Sequence, residues 1–513
     1  MTPRRPGFPT ASIAPNAAMA LVALVLAAAL LPTLLTPIPA LTDYPNHLAR
    51  MSILVRNGTA AAHPYYQVAW GLYPNLAMDL VVPLLARLME VPAATWTFYA
   101  LSQLLVLSGA MAVGYAAQRS VILPALVAAL FLYAPPFAWG FVNFAFGLGL
   151  ALWAFAVWIG LMERPLPVRL AVHAGFVAAL FLAHLVALGL YGLMAGAYEL
   201  WRLRQAGAGW RRWLATLAGM VLPVLLLLLA MMASGGSIGG SGNEWFFANK
   251  PAIVLEPNGF DRRWSLAVSI GLGVGLILAV GRGLVRLSSA GAWVGGILLA
   301  AFVLMPGRLF DTSFVDGRVW LALVLVVPAF VHLSGTARQT SILLGALAVL
   351  ALANSLYTAR LQHSYATDYR AMLAALEKVP KGARILIART GPEDDPPDER
   401  LDYPMFHAAM LGVHTRDALV PTLFAYPGKQ PVLPRPEVSG LTIPQGGPVP
   451  LDILLDIARG GRNPTNHAFL SKWPEKFGYL VLLKAEGNPL PGYLELIAAD
   501  LRFSLFRIRP LAP

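Results

Sequence analysis

The chain has 513 residues, of which 57% are hydrophobic and 12% charged, with a mean hydropathy of +0.63. Soluble domains carry about 25% charged residues, so this balance excludes an ordinary soluble enzyme, and it excludes a disordered chain as well. Cysteine is absent, which rules out disulfides, thiolate zinc sites and a thiol nucleophile, and the formal charge of +12 must be explained by nucleic acid or by a membrane.

In chain order, the first apolar stretch runs from Ala17 to about Pro37, behind Arg4 and Arg5. Ile38-Pro39-Ala40 is a poor signal-peptide cleavage site, so the stretch reads as a retained membrane helix with a cytoplasmic N-terminus. The segment Leu41-Thr-Asp-Tyr-Pro-Asn-His-Leu-Ala-Arg-Met comes next. Pro45 suits the first turn of a helix, where its missing N–H costs nothing, and Asn57-Gly58 suits a stop. Leu48, Met51 and Val55 then form an apolar stripe, with His47 and Arg50 one turn apart. The spacing predicts an amphipathic helix lying on the outer membrane surface, with Asp43 at its N-terminus. Capping alone would explain Asp43, but Asp, Tyr, Asn, His and Arg within eight residues make the segment a candidate site, including His47 and Arg50.

Asn75–Met89 is apolar but short and contains Asp79 and Arg87, so it predicts an interfacial or re-entrant helix. Ten further spanning stretches follow, from Thr95–Ala117 through Val121–Phe141, Asn143–Met162, Leu166–Ala183, Leu185–Trp201 and Trp213–Ala233 to Trp264–Val280, Ala292–Met305, Val319–Leu333 and Ser341–Tyr357. With the first helix they make about 11 spans, a polytopic α-helical membrane body over residues 1–357. Basic residues including Arg119, Arg164, Arg169, Arg202, Arg204, Arg282 and Arg338 fall on the side of the N-terminus, with Glu163 and Glu199 as the only acids there. That asymmetry follows the positive-inside rule and removes the case for nucleic acid.

Residues 358–513 hold 16 of the 26 acids and no spanning stretch. Asp368–Lys378 has helical periodicity, and Arg384–Ala388, Gly478–Leu483 and Phe503–Ile508 read as strands. Pro-rich loops lie between them, and no Gly-rich phosphate loop precedes a helix. This part is expected to be a C-terminal α/β domain outside the membrane.

Other polar residues collect at the outer boundary. The loop Pro306–Arg318 holds Arg308, Asp311, Asp316 and Arg318. Arg318 opens a span, and its planar fork suits a phosphate at headgroup level, although mutual ion pairs would also explain the loop. Arg262 and Arg263 read as snorkelling anchors. His184 sits at an outer turn, where an ionisable group is a functional candidate, while His173 reads as structural. The long loop Ser234–Arg263 begins with linker composition and carries Glu244-Trp-Phe-Phe, a candidate sugar contact or second acid on a lid. Trp70, Tyr73, Trp139 and Phe141 fit a sugar or lipid groove and equally an interfacial belt. Asp402-Tyr-Pro-Met-Phe-His echoes the Asp43 segment without any repeat period, and reads as coincidence, with His407 and His414 left as acceptor contacts.

This layout resembles the GT-C superfamily of integral-membrane glycosyltransferases, which includes the protein O-mannosyltransferases and the aminoarabinose transferase. An acidic motif directly after the first helix, an amphipathic helix behind it, many spans and a C-terminal soluble domain carry the resemblance. It covers all 513 residues as architecture and the segment around Asp43 as motif. It implies a sugar carried on polyprenyl phosphate as donor and a glycan, lipid or protein as acceptor. The setting it implies is the outer face of a bacterial-type inner membrane, with the C-terminal domain in the periplasm. Asp43 takes the role of general base or metal-site residue, and His184 matches a turn where relatives place a Lys or His near the lipid phosphate. Family members often pair two acids, whereas Tyr44 follows Asp43 here. A second acid would have to come from Asp79, Glu244 or Asp316. One carboxylate offers few oxygens to Mg²⁺ or Mn²⁺, which leaves the metal open. The rival readings are a transporter or lipid-linked sugar flippase, which would show internal repeats around a midplane site, and a non-catalytic scaffold of the same architecture.

Overall fold

The computed structural model describes residues 15–235, 242–310, 312–390, 404–443, 446–465, 467–483 and 490–509. Helix α1 (Pro15–Leu34) leads through a short loop into α2 (Tyr44–Arg56), which begins with Pro45 in its first turn and stops at Asn57, as its sequence dictates. Strand β1 (Tyr66–Val68) and α3 (Ala77–Leu85) follow. Next come α4 (Val91–Gln118), α5 (Ile122–Leu130), the single turn α6 (Pro135–Ala138) and α7 (Val142–Gly160). Helices α8 (Leu166–Ala183) and α9 (Leu185–Gln205) meet at His184. The body continues with α10 (Trp210–Ala233), α11 (Lys250–Val254), α12 (Arg262–Gly281), β2 (Val285–Leu287) and α13 (Ser289–Leu304). It closes with β3 (Arg308–Leu309), β4 (Thr312–Ser313), α14 (Val315–Val326), β5 (Val331–Leu333) and the 40-residue α15 (Ala337–Leu376).

Among the described residues, seven helices are long and apolar enough to cross a membrane: α1, α4, α7, α8, α10, α12 and α15. The other expected spans differ for local reasons. Val121–Phe141 is broken because Pro135-Pro136 ends the helical run, leaving α5 with nine residues against the roughly 20 that a span needs. Val319–Leu333 is broken at Pro328, which sits in a 3₁₀ turn after the 12-residue α14. Helix α9 is 21 residues long but ends in Glu199, Arg202 and Arg204.

Two features hold the body together. Helices α4 and α7 approach so closely that a Cβ on Gly149 would stand 2.6 Å from the Leu105 backbone, the small-residue contact that lets apolar helices pack without water. At the start of α15, the Thr336 hydroxyl accepts from the Gln339 amide while the Gln339 side chain accepts from the Thr336 amide, a reciprocal capping box. Helix α15 then runs unbroken through residue 357 and carries the chain from the membrane body into the C-terminal domain, because the sequence offers neither Gly nor Pro across that junction.

The C-terminal domain adds β6 (Ile385–Arg389), α16 (Leu411–Arg416), β7 (Val432–Pro434), β8 (Val449–Pro450) and α17 (Leu451–Ala458). Strands β9 (Tyr479–Leu483), β10 (Leu494–Ala499) and β11 (Phe503–Ile508) complete it. Its sheet has the order β10-β11-β9-β6-β8, with β6 parallel to β9 and β8, and β11 antiparallel to β9 and β10. All three strands expected from sequence are present. Alternation along them divides the domain's core, since successive side chains leave opposite faces. Ile385, Ile387, Val481, Leu483 and Leu505 join one continuous core with the membrane helices. Leu386, Leu480, Leu482 and Phe506 face a second core with Leu454 and Trp473.

The domain also seats on α2. Asn46 of α2 donates to the Thr422 carbonyl (3.0 Å) and accepts from the Phe424 amide (2.8 Å), acting as a short piece of strand. Ser52 meets His414 Nδ1 at 2.6 Å, Arg56 pairs with Asp417 at 2.7 Å, and β1 pairs antiparallel with β7. Helix α2 is therefore not a surface helix with one wet face. Tyr44 to Leu54 are all buried, between α3 and α4 on one side and the C-terminal domain on the other. Its amphipathic pattern is satisfied by polar groups of that domain rather than by water.

Candidate active site

Asp43 occupies the N-cap position of α2, yet its side chain makes no capping bond. The backbone holds it instead: the Asp43 amide donates to the Trp139 carbonyl (2.9 Å), and the Asp43 carbonyl accepts from the His47 amide (3.0 Å). The loop that meets it turns on Gly140, whose φ of +87° suits glycine and whose added Cβ would come within 3.1 Å of the Asp43 nitrogen. The main chain of Asp43 is thus fixed, and its carboxyl makes no hydrogen bond among the described residues. Only 8% of Asp43 is exposed, and burial pushes its pKa up to about 7, with the nearby Arg318 guanidinium pulling the other way. A carboxyl of that affinity can exchange a proton near neutral pH.

Arg318 lies in the first turn of α14, which starts after Phe314 in a left-handed conformation (φ 61°). It is 4% exposed. Its guanidinium stands 4.4 Å from the ring centre of Phe141 and 5.1 Å from that of Phe144. Its Nε and Nη1 are buried and have no hydrogen-bond partner among the described residues. A cation held by ring faces and not by a carboxylate has unused directional donors, which is what an incoming anion needs. Its charge acts on both Asp43 and His184. His184 is held by the Val186 amide, which donates to Nδ1 at 3.2 Å, and by an edge-to-face contact with Phe144. Asp43, Arg318 and His184, which the sequence scatters over 276 positions (43 to 318, inclusive), therefore come together around Phe141 and Phe144.

Two more imidazoles border Asp43. His47 is buried, not water-facing, and donates from Nε2 to the Gly140 carbonyl (3.1 Å). Desolvation, with Arg50 beside it, lowers its pKa to about 3, so the ring is neutral. His407, from the C-terminal domain, brings Nε2 to 3.6 Å from Asp43 Oδ1. Phe424 packs edge-on against both rings, at 5.8 and 5.4 Å between centres. Among the aromatic residues named from sequence, Trp139 and Phe141 stand in this cluster, with Phe314 6.1 Å from Trp139, while Trp70 is exposed.

The remaining site candidates are committed to partners. Arg50 and Asp79 form a fully buried ion pair at 2.9 Å that ties α2 to α3. Asp316 accepts from Lys250 at 3.0 Å, and Lys250 also donates to the Phe302 and Met305 carbonyls, pinning α11 to the end of α13. Glu244 and Arg308 bridge by backbone bonds of 2.9 and 3.1 Å and by an exposed ion pair of 3.3 Å. None of the three acids offered as a second carboxylate thus pairs with Asp43. Asp311 lies outside the described residues. His173 is held by the Tyr191 hydroxyl and the Met220 carbonyl, each at 2.9 Å. Lys250 carries no function in the sequence, and Asn46 counts there only among the polar residues of its segment. Only the fold brings them to their partners.

No known sequence family and no curated protein matches the chain. Its structural neighbours include two crystal structures of ArnT from Cupriavidus metallidurans. The one bound to undecaprenyl phosphate superposes with a TM-score of 0.49 at 13% identity, covering 96% of this chain and 98% of that one. The apo state gives a TM-score of 0.47 at 14% identity over the same shares. ArnT belongs to the GT-C family, the group that the sequence resembles.

The donor set around Asp43 does not suit a resident divalent metal. Among the described residues no group of three His, Asp or Glu side chains is placed to hold a metal ion. Asp43 brings a single carboxylate, and the group nearest in charge is a guanidinium, which a cation would repel.

Proposed function

We propose that the protein is a glycosyltransferase that moves a sugar from a polyprenyl-phosphate donor to an acceptor hydroxyl at the outer face of a bacterial inner membrane. The observation that supports it is a buried Arg318 guanidinium, two of whose nitrogens have no hydrogen-bond partner among the described residues, beside the buried Asp43 carboxyl, whose pKa burial raises. Such a pair matches the two charges that the transfer develops. The acceptor oxygen bonds to the anomeric carbon, and its O–H proton passes to Asp43 as general base. The bond from the anomeric carbon to the phosphate oxygen breaks, and its electron pair leaves with the phosphate. Arg318 receives the phosphate oxygens through its free N–H groups, and His184 stands by as a second contact. The Phe141 and Phe144 faces keep the guanidinium in place while the site is empty. The C-terminal domain, whose sheet shares the membrane core, supplies the wall over Asp43 and belongs on the periplasmic side in this reading.

The test is Asp43→Asn and Arg318→Ala in the native host, with surface glycans compared by mass spectrometry against a full deletion. Loss of the same glycan in all three strains is expected. A deletion strain with an unchanged glycan profile would sink the reading. A deletion that alters the profile while Asp43→Asn does not would leave a scaffold in its place.

A further inference from the structure

Asp43 is approached by a residue that belongs to neither the membrane helices nor the first loop. His407 lies at the start of the 3₁₀ turn Ala408–Met410, 4% exposed, with Nε2 3.6 Å from Asp43 Oδ1. Its ring is wedged edge-on between Phe406 and Phe424, which fixes the direction in which Nε2 points. Its Nδ1 is buried without a partner among the described residues, so no second bond explains the orientation. The segment is brought there by the Asn46, Ser52 and Arg56 contacts that seat the domain on α2.

We propose that His407 is a positioning residue for Asp43, contributed by the C-terminal domain and completing the base only when that domain is seated. The proposal rests on the transferase reading for its purpose. Nε2–H directs one carboxylate oxygen, so the other faces the acceptor hydroxyl. Contacts of this kind are often long in an empty site and tighten with substrate; at 3.6 Å this one is longer than a hydrogen bond and has to close by about half an ångström to form one. Burial lowers the His407 pKa to about 4, so the neutral ring donates and no ion pair forms. The charged and titratable groups acting on the Asp43 carboxyl are then His407 from the domain and Arg318 from α14, while the His47 ring of its own helix turns to the Gly140 carbonyl.

The experiment is an infrared titration of the protonated carboxyl stretch in the full-length protein in nanodiscs, with Asp43→Asn identifying the band. His407→Phe keeps the aromatic packing and removes the N–H. The Asp43 midpoint is expected to rise by about one pH unit, a roughly tenfold gain in proton affinity. His407→Gln restores an N–H and should return the midpoint toward wild type, which a packing role would not do. If Phe does not fold at 407, His407→Leu makes the same removal. Asn46→Ala, which loosens the seat, is expected to move the midpoint in the same direction. An unchanged or lowered midpoint in the variant lacking the N–H overturns the proposal. The titration needs no substrate, so its failure is distinct from failure of the transferase reading, which would appear in the glycans instead.

Discussion

The molecule buries charge in two different ways. Near the far ends of α8 and α9, Arg169 and Arg202 close on Glu199, and Arg169 lies 4.3 Å over the Trp158 ring. Glu199 is wholly buried there, and its oxygens are taken by both guanidiniums. At the domain junction, Asp43 and Arg318 are also buried but share no hydrogen bond, and two nitrogens of Arg318 are idle. A charge removed from water costs several kcal/mol unless it is paired. The triad meets that cost within the fold through its carboxylate, leaving only Arg169 Nε without a hydrogen bond among the described residues. The open pair leaves it unmet, and such a cost is tolerated where a ligand later supplies the missing partner.

The comparison breaks first at Glu199. Replacing it by alanine leaves the buried Arg169 guanidinium without its carboxylate, beside the partly exposed Arg202, and a loss of about 3–5 kcal/mol in stability is expected. Denaturant or thermal unfolding in detergent measures it. A loss below about 1 kcal/mol would mean that water or lipid headgroups already serve Arg169, and the contrast between the two regions would fail.

Asp43 gives the second largest effect, and its sign is opposite. Its carboxyl holds a proton more tightly in the fold, at about 7, than in the unfolded chain, near 3.8. The stability from this group is therefore complete below about pH 4 and is lost as the pH rises through about 7. Asp43→Asn removes that loss. The variant should be more stable than wild type at pH 8, by at most about 4 kcal/mol for three pH units, and should match it below pH 4. A variant less stable than wild type at pH 8 would place Asp43 among the closed pairs. A residue that costs stability in its working form is the pattern expected of a functional group.

Arg318 sharpens the comparison by separating stability from binding. Arg318→Met keeps apolar volume between Phe141 and Phe144 and removes no hydrogen bond to the protein. Its stability change is expected to be far smaller than that of Glu199→Ala. Affinity for undecaprenyl phosphate, used as a polyprenyl-phosphate probe in detergent, should fall by about 10–100-fold, the worth of charge-assisted bonds. Equal affinity in the two proteins would remove Arg318 from the phosphate role.

The difference between the regions was only partly legible in the sequence. The extent of α2, its Pro45 start and the place of Asp43 before it follow from local rules, and so do the three strands of the domain. Arg318 and His184 could be named because ionisable residues at membrane boundaries are rare. What local rules cannot carry is partnership. Arg50, Asp79 and Asp316 look as functional as Asp43 along the chain, and only the packing of α2 on α3 and of α11 on α14 closes them. The same limit leaves His407 legible only as an acceptor contact and not as a neighbour of Asp43. Its likeness to the first-loop motif gave no period, and the contact spans 364 positions (43 to 407). The buried state of α2 was missed for a related reason: a polar face reads as a wet face until a domain is known to cover it.

The smallest effect is expected where charge is paired but wet. Glu244 and Arg308 meet at 3.3 Å with side chains 49% and 42% exposed, and their segments are already joined by two backbone bonds. Exposed pairs contribute about 0–1 kcal/mol, because water competes and two long side chains lose freedom. Arg308→Ala should therefore change stability by less than about 1 kcal/mol, and the change should shrink further in 1 M salt, where screening acts within about 3 Å. Affinity for undecaprenyl phosphate should stay within about twofold, since the guanidinium that faces Asp43 belongs to Arg318. If Arg308→Ala instead weakened binding as strongly as Arg318→Met, the bridge would be part of the anion site. The division between closed and open charge would then have to be redrawn to place Glu244 among the residues that bind substrate.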